Sequence, residues 1–480
     1  MMLLLELALY IILPFAGALL FCIYSQRKKP KYGSTFPPYS PLGRWETMKE
    51  FCSENCTSYI LKITKLDRTV FRMRPLIPFR RKPFLVEITD VQTLRQVLKD
   101  ETSTKPDFIY SIYLKVHKGN FNIFSSEGPK WKHSRKAIAS AFSSKHVNRM
   151  NSVVKEKTDD WVTNKLMVKI ENGEPIDVAS EMLQLTLCSI CEAAFQYSIT
   201  DNEAENFLKE LHLALMEAAT DMPFRKYISR FLSSSRRASV ASDRLIDFSK
   251  KVLDAYRSLE CPIEGTVIDC IAKNSHYEND KDRVADIFIM LVGGHDTTAY
   301  TISWTMLELA KDQEEQKQLR SVLHTADSSA RLHVPKLHHV IKEAMRLHPV
   351  AAMGTCRKIA SDLIIIRKDP LPNYFVPEGS IIMVSIMGMT RNERYYKDPD
   401  SFKPSRWENP TKDEVDAFMP FLIGRRNCVG QSLAHSNLRI IVSTLIQNYD
   451  WTVENPGTAT CFFTYAPKNM TLKASRIADK

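Results

Sequence analysis

The chain has 480 residues, of which 44% are apolar and 25% charged, with a net charge of +11 and ten cysteines. That composition fits an ordinary globular protein with a substantial core and excludes collagen-like, disordered and disulfide-scaffold classes. The basic residues scatter in small clusters such as RKKPK (27–31) and FRRK (79–82). Without an arm or stripe they argue against nucleic-acid binding and for a basic soluble surface able to dock acidic protein partners.

Residues 1–24, MMLLLELALYIILPFAGALLFCIY, are apolar except for Glu6 and long enough to span a bilayer as a helix. Positive charge follows this run, from Arg27 to Lys31, instead of preceding it. That order predicts a single-pass signal anchor with all downstream residues in the cytosol, a cleaved signal being the alternative. Residues 25–45 read as a basic linker stiffened by FPPYSPLG (36–43), and 46–480 as one folded body. FLVEI (84–88) predicts a strand, and Asp90 a helix start with Val91, Leu94, Val97 and Leu98 on one face. Helical periodicity follows near 131–166, 177–196, 203–219, 240–258, 284–311 and 335–347. The chain then turns irregular, with strands in LIII (363–366) and SIIMVSI (380–386), before a last helix near 429–447 and closing strands. The fold class is mainly α with small β-sheets, in a single domain.

Several short stretches stand out along this frame. WKHSR sets Trp131 and Arg135 about one helical turn apart. CSIC, with Cys188 and Cys191, sits in an apolar helical run with no second CxxC and no nearby histidines, so core packing is the better reading than zinc or redox work. SRRASV (235–240) puts Arg236 and Arg237 before Ser239 in a basophilic-kinase pattern that is short and frequent by chance. In MLVGGHDTT (290–298), Gly293, Gly294, Asp296, Thr297 and Thr298 are all poor helix formers inside a strongly helical segment. This predicts a local opening of the helix over a ligand, with the Thr297 hydroxyl released from its usual backbone bond. In KEAMRLHP (342–349), Glu343 and Arg346 are spaced to pair across one helical turn.

FLIGRRNCVG (421–430) sets Cys428 between Gly424 and Gly430 beside Arg425 and Arg426. A metal-ligating thiolate needs backbone N–H donors and nearby cations, and the glycines allow tight turns or close approach to a flat cofactor. A helix starting just after Cys428 would aim its positive end at the sulfur. Arg426 suits an anionic group on that cofactor.

The F-x-x-G-x-R-x-C-x-G pattern, beginning at Phe421, resembles the haem loop of cytochromes P-450. The other motifs agree in order: W-x-x-x-R at Trp131, GGHDTT, E-x-x-R at Glu343, and P-x-R at Pro404 to Arg406. The resemblance covers essentially everything after the anchor and implies that fold, with 46–480 as a haem-thiolate catalytic domain. It implies haem b ligated by the Cys428 thiolate, which pushes electron density onto iron. Phe421, Gly424, Arg426 and Gly430 belong to its cradle; Gly293 and Gly294 let haem and dioxygen approach; Trp131, Arg135 and Arg357 face the propionates. Asp296 and Thr297 match the family's acid–alcohol pair, which delivers protons during oxygen activation. Glu343, Arg346 and Arg406 form a buried structural cluster. The resemblance places substrate contacts at Met290, Leu291, Val350, Met353 and Phe462.

The implied reaction inserts one oxygen atom from O2 into a lipophilic substrate: a fatty acid, a sterol or other terpenoid, or a xenobiotic. Electrons come from NADPH through a flavoprotein reductase at the endoplasmic reticulum membrane. Leu422, Arg425, Ser405 and Asn437 depart from the usual family residues, and Arg425 and Asn437 could alter the proximal surface where a donor docks. Two rival functions are a haem-thiolate isomerase or dehydratase acting on peroxides without a reductase, and a non-catalytic haem-binding membrane protein. The intact acid–alcohol pair argues against both.

Overall fold

The structure, a computed structural model, describes residues 34–38, 62, 70–72, 85–219, 233–328, 330–366, 373–461 and 463–477. The expected membrane anchor, most of the linker and Phe462 lie outside these residues. Helices dominate, and their starts follow local chemistry. The Asp90 carboxylate accepts the Thr93 N–H at 2.9 Å and opens the helix Val91–Lys99. Asp177, Asn279 and Asp312 cap Val178–Phe195, Asp280–Lys311 and Gln313–Thr325 in the same way. Each such cap contributes roughly 1 kcal/mol by satisfying an end N–H.

The helical run near 131–166 is not continuous. It divides into Gly128–Ser140 and Ser144–Trp161, followed by a π-helical turn at Val162–Leu166. Buried Ala141 and Phe142 hold the break in the core, so packing decides what periodicity alone could not. A helix at Asp107–Val116 was not anticipated; it begins directly after Pro106.

Asp280–Lys311 is the central helix, buried on nearly every side. Val178–Phe195 lies closely along it, and Gln431–Asn448 packs against another of its faces. Among the described residues, Val178–Phe195 is the one helix apolar and long enough to cross a membrane, yet 67% of it is buried in the protein. It is a core helix. Burial pushes the Cys188 and Cys191 thiols up, in keeping with packing rather than metal or redox chemistry.

The strands are β1 (Val70–Arg72), β2 (Leu85–Ile88), β3 (Thr355–Lys358), β4 (Leu363–Ile365), β5 (Tyr374–Val376), β6 (Ile381–Val384), β7 (Tyr449–Asn455), β8 (Thr458–Cys461), β9 (Tyr465–Lys468) and β10 (Thr471–Arg476). One four-stranded sheet runs β1-β2-β6-β3, parallel between β2 and β6 with Leu85 opposite Ile381. β4–β5, β7–β10 and β8–β9 are antiparallel pairs.

Glu87 of β2 is fully buried, and neither carboxylate oxygen has a hydrogen-bond partner. Burial pushes its pKa up to about 8, while the Ser385 hydroxyl, off the geometry of a good hydrogen bond, tempers the shift. The folded state therefore holds this proton more tightly than the unfolded chain does. Its contribution to stability is full below the ordinary glutamate range and is lost as pH climbs to about 8. That loss is on the order of 2–4 kcal/mol. Glu87→Gln is expected to flatten the decline, so that its melting temperature relative to wild type improves steadily from pH 5 to about 8. A pH-independent difference in a melting series would contradict this.

Candidate functional site

The loop before Gln431–Asn448 is shaped by one glycine. Gly424 has φ +79°, and a Cβ there would lie 2.4 Å from the Leu98 carbonyl oxygen, so no other residue fits without moving backbone. Asn427 N–H donates to Gly424 O at 3.1 Å and Cys428 N–H to Phe421 O at 2.9 Å, which closes the turn. The Phe421 ring packs on His435 at 4.8 Å. Gly430 differs from expectation: its φ of −86° suits any residue, and a Cβ would meet only Phe142 at 3.8 Å. Conformational freedom is required at Gly424 alone of this pair.

The Cys428 side chain is open to water even though protein surrounds it on almost all sides, so it faces an internal cleft. Burial pushes its thiol up, while the Gly430 N–H and the Arg135 guanidinium pull it down. Both donor types expected for a thiolate are therefore present at the sulfur.

Cations gather nearby from distant parts of the chain. Arg426 lies over the Trp131 ring at 3.8 Å and donates to Ser126 O at 2.8 Å and to the Glu127 carboxylate. Its Nη1 is buried with no partner. Burial lowers the Arg426 pKa to about 10, against the opposing pull of Glu127. Arg357 is buried and donates only weakly, to Thr355 Oγ1 at 3.2 Å and Cys356 O at 3.3 Å. Lys105 joins them: burial first, then Arg426 and Arg357, hold its pKa well down, and its Nζ lies 4.0 Å from the Phe124 ring centre. Sequence reasoning missed Lys105 as a member of this cluster. Arg135 braces the loop itself, donating to Asn427 O at 2.8 Å and Oδ1 at 2.6 Å.

On the central helix, Gly293 is exposed within an otherwise buried element, and a Cβ there would meet nothing within 4 Å. Gly294 serves packing: its Cβ would strike Ile190 Cδ1 at 1.9 Å. The expected opening of the helix is absent, for Asp280–Lys311 is continuous and Thr297 Oγ1 keeps its bond to Gly293 O at 2.9 Å. Ile190 seated at Gly294 and the Thr186 hydroxyl on His295 O at 3.0 Å compensate for the weak local propensity.

Asp296 is half-buried, and burial lifts its pKa to about 7 against the Thr297 N–H and the Thr464 hydroxyl, which lies 3.4 Å from Oδ2. Tyr113 faces it from the helix Asp107–Val116 and packs on Phe463 at 5.6 Å. Among the expected substrate contacts, Val350 and Met353 are half-buried. Met290 is 9% exposed and Leu291 0%, and Leu291 is committed to the core, so it is no contact in this conformation.

Glu343, Arg346 and Arg406 come together in one buried cluster. Arg346 makes two bonds to the Glu343 carboxylate, at 2.8 and 2.9 Å, and Arg406 Nε lies 3.4 Å from the same group. Trp407 Nε1 donates to it at 2.9 Å and Lys403 N–H at 3.0 Å. Ser405 is exposed, but Asn437 is buried at 5%, so it cannot shape a docking surface as the sequence suggested.

The residues present fit a flat, dianionic haem: a thiol with N–H and cationic support, cations in excess with an orphaned guanidinium nitrogen, and an open glycine on the central helix. The cytochrome P450 family profile matches residues 77–474. Cytochrome P450 4F6 of Rattus norvegicus is 27% identical over 70% of this chain and 68% of its own. Cytochrome P450 3A6 of Oryctolagus cuniculus is 25% identical over 77% of each chain. The fold matches the crystal structure of the cytochrome P450DA heme domain with a TM-score of 0.77, covering 93% of this chain and 98% of that one at 16% identity. With the profile spanning nearly the whole folded body, this chain belongs to the cytochrome P450 family of haem-thiolate monooxygenases, which act on lipophilic substrates.

Proposed function

We propose that this P450 hydroxylates a membrane-borne lipid, whether a fatty acid, a sterol or another terpenoid, or a xenobiotic of similar polarity. Electrons from NADPH reach it through a flavoprotein reductase. Residues 1–24 anchor it, residues 25–45 link anchor to body, and residues 46–480 face the cytosol from the endoplasmic reticulum. The observation that carries the reading is a water-accessible Cys428 supported by the Gly430 N–H and Arg135, close to buried cations that include an unpartnered Arg426 nitrogen.

Cys428 would hold haem iron, and Arg426, Arg357, Lys105 and Trp131 the two carboxylates. When bound, haem supplies reductive activation of O2 and insertion of one oxygen atom into a C–H bond. The chain's own work is positioning and proton control. Arg135 fixes the Cys428 turn through Asn427, so the sulfur is held rather than searching. Gly293 keeps the central helix close to the reacting centre without a side chain in the way. Asp296, with a pKa near neutrality, holds or releases a proton at its carboxyl, and the Thr297 hydroxyl is anchored one turn back at Gly293 O.

The test is the spectrum of reduced full-length protein with carbon monoxide, followed by incubation with reductase, NADPH and a lipid extract. A red-shifted thiolate-type Soret band and NADPH-dependent oxygenated products are expected. Product from a lipid peroxide without NADPH would favour the isomerase reading instead.

A further inference from the structure

Arg426 and Lys105 take their direction from one irregular stretch of chain, residues 120–127. Arg426 Nη2 donates to Ser126 O at 2.8 Å and to the Glu127 carboxylate. That nitrogen is satisfied by the protein, so Nη1 is the one left to meet a ligand, buried and without a partner. The Lys105 N–H donates to Glu127 Oε1 at 2.9 Å, its Nζ bonds Phe124 O, and its ammonium lies 4.0 Å from the Phe124 ring centre. Ser126 adds a second orphaned donor, for its hydroxyl is buried and unpartnered. Moving this stretch would re-aim both cations at once.

The stretch fixes its own shape but not its place. Asn122 Oδ1 accepts the Phe124 and Ser125 N–H groups at 3.1 and 3.0 Å, and Asn122 O accepts the Ser126 N–H at 2.8 Å. These bonds close a local turn that can travel as a unit. What ties it to the central helix is Asp286, a buried carboxylate whose Oδ1 accepts the Ile123 N–H at 2.5 Å. Among the described residues this is the one hydrogen bond between residues 120–127 and the helix Asp280–Lys311. His117, just before the stretch, also reaches that helix, its ring 4.6 Å from that of Phe288. Neither of its ring nitrogens has a partner, so that contact fills space and gives no direction.

Asp286 is itself held. Its Oδ2 accepts the Tyr277 hydroxyl, from the connection that leads into the central helix. Burial pushes its pKa up to about 6, against the pull of Tyr277, the Ile123 N–H and Ser134. At neutral pH it is a carboxylate and offers an acceptor to each donor. An apolar residue would pack there at less cost but would leave the loop without its tie.

We propose that Asp286 is a positioning residue for the haem carboxylate cradle: through the Ile123 N–H it holds residues 120–127 where Ser126 and Glu127 aim Arg426 and Lys105. This rests on the haem reading above. Asp286 acts through the loop and not on the haem itself.

Three variants separate this role from ordinary packing. Asp286→Asn keeps an acceptor for Ile123, Asp286→Leu removes it, and Tyr277→Phe strands Asp286 Oδ2 but leaves the Ile123 bond alone. In purified full-length protein loaded with haem, transfer of haem to excess apomyoglobin is followed from the Soret band. Deuterium uptake by peptides covering residues 120–127 is followed by mass spectrometry. Haem release about tenfold faster is expected in Asp286→Leu, the scale of one lost hydrogen bond to a charged group, with faster uptake in the loop. Asp286→Asn and Tyr277→Phe should match wild type on both, even where Tyr277→Phe lowers the melting temperature. Because the effect passes through the cations, Asp286→Leu should speed release much less in an Arg426→Met background. If the single leucine variant does not fold, Asp286→Leu/Tyr277→Phe, which strands no tyrosine hydroxyl, supplies the comparison. Haem release that follows melting temperature across the variants, unchanged loop uptake in Asp286→Leu, or the same fold effect persisting without Arg426 would overturn the role. A wild type that takes up no haem would count against the functional reading alone, and loop uptake in the haem-free variants would still decide the clamp.

Discussion

Cys428→Ala is expected to abolish NADPH-driven oxygenation while leaving the fold in place. The side chain is open to the cleft, and the groups that act on its sulfur are the Gly430 N–H and the Arg135 guanidinium. Its removal should change thermal stability by no more than about 1 kcal/mol. The chemistry loses much more, because the thiolate is the group proposed to push electron density onto iron. Haem affinity should weaken without vanishing, since Arg426, Arg357, Lys105 and Trp131 are untouched by the substitution. Cys428→His separates loss of ligation from a change of ligand: it should retain haem but give a carbon-monoxide band at shorter wavelength than wild type. A thiolate-type band surviving in Cys428→Ala would mean that another cysteine ligates the iron.

Much of this site was legible because its signals are local. Gly424 allows a tight turn, Glu343 and Arg346 share a helix face, and Asp90 announces a helix start within three residues. The failures have a common physical cause. An opening was expected at Gly293 to Thr298 because helix propensity sums local costs, but Ile190 and Thr186 arrive from over a hundred residues away and hold the helix closed. Lys105 is an isolated lysine before a proline until Arg357 and Arg426 are brought to it across more than two hundred residues. Asn437 looked like a surface departure because periodicity in a helix as apolar as Gln431–Asn448 does not single out an exposed face; it is buried with an unpartnered Oδ1. Local pattern reports what a residue prefers, and the partners that decide its role are set by the assembled core.

The second large effect is at Arg346, well away from any reacting atom. This side chain is fully buried and makes five hydrogen bonds: two to Glu343, and one each to Thr390 O, Pro399 O and Ser401 O. The Thr390 carbonyl ends the short helix Ile386–Thr390, and the other two lie in the irregular chain between that helix and the turn Pro404–Trp407, which has little regular structure of its own. Arg346→Ala would strip all three carbonyls of a donor and leave Glu343 with only Arg406, Trp407 and Lys403. Breaking a buried pair from one side costs roughly 3–5 kcal/mol, because the stranded charge cannot return to water. The variant should fold poorly and incorporate little haem, although no residue of the Cys428 loop has changed. Glu343→Ala should fail comparably by stranding Arg346 and the Trp407 N–H. Combining the two removes both charges, so the double variant should be more stable than the sum of the single losses by about 2 kcal/mol. Denaturant unfolding of the four proteins measures this. Additive losses would mean that Arg346 acts through its three carbonyls alone, and that the ion pair with Glu343 contributes nothing to holding the segment that leads into the haem loop.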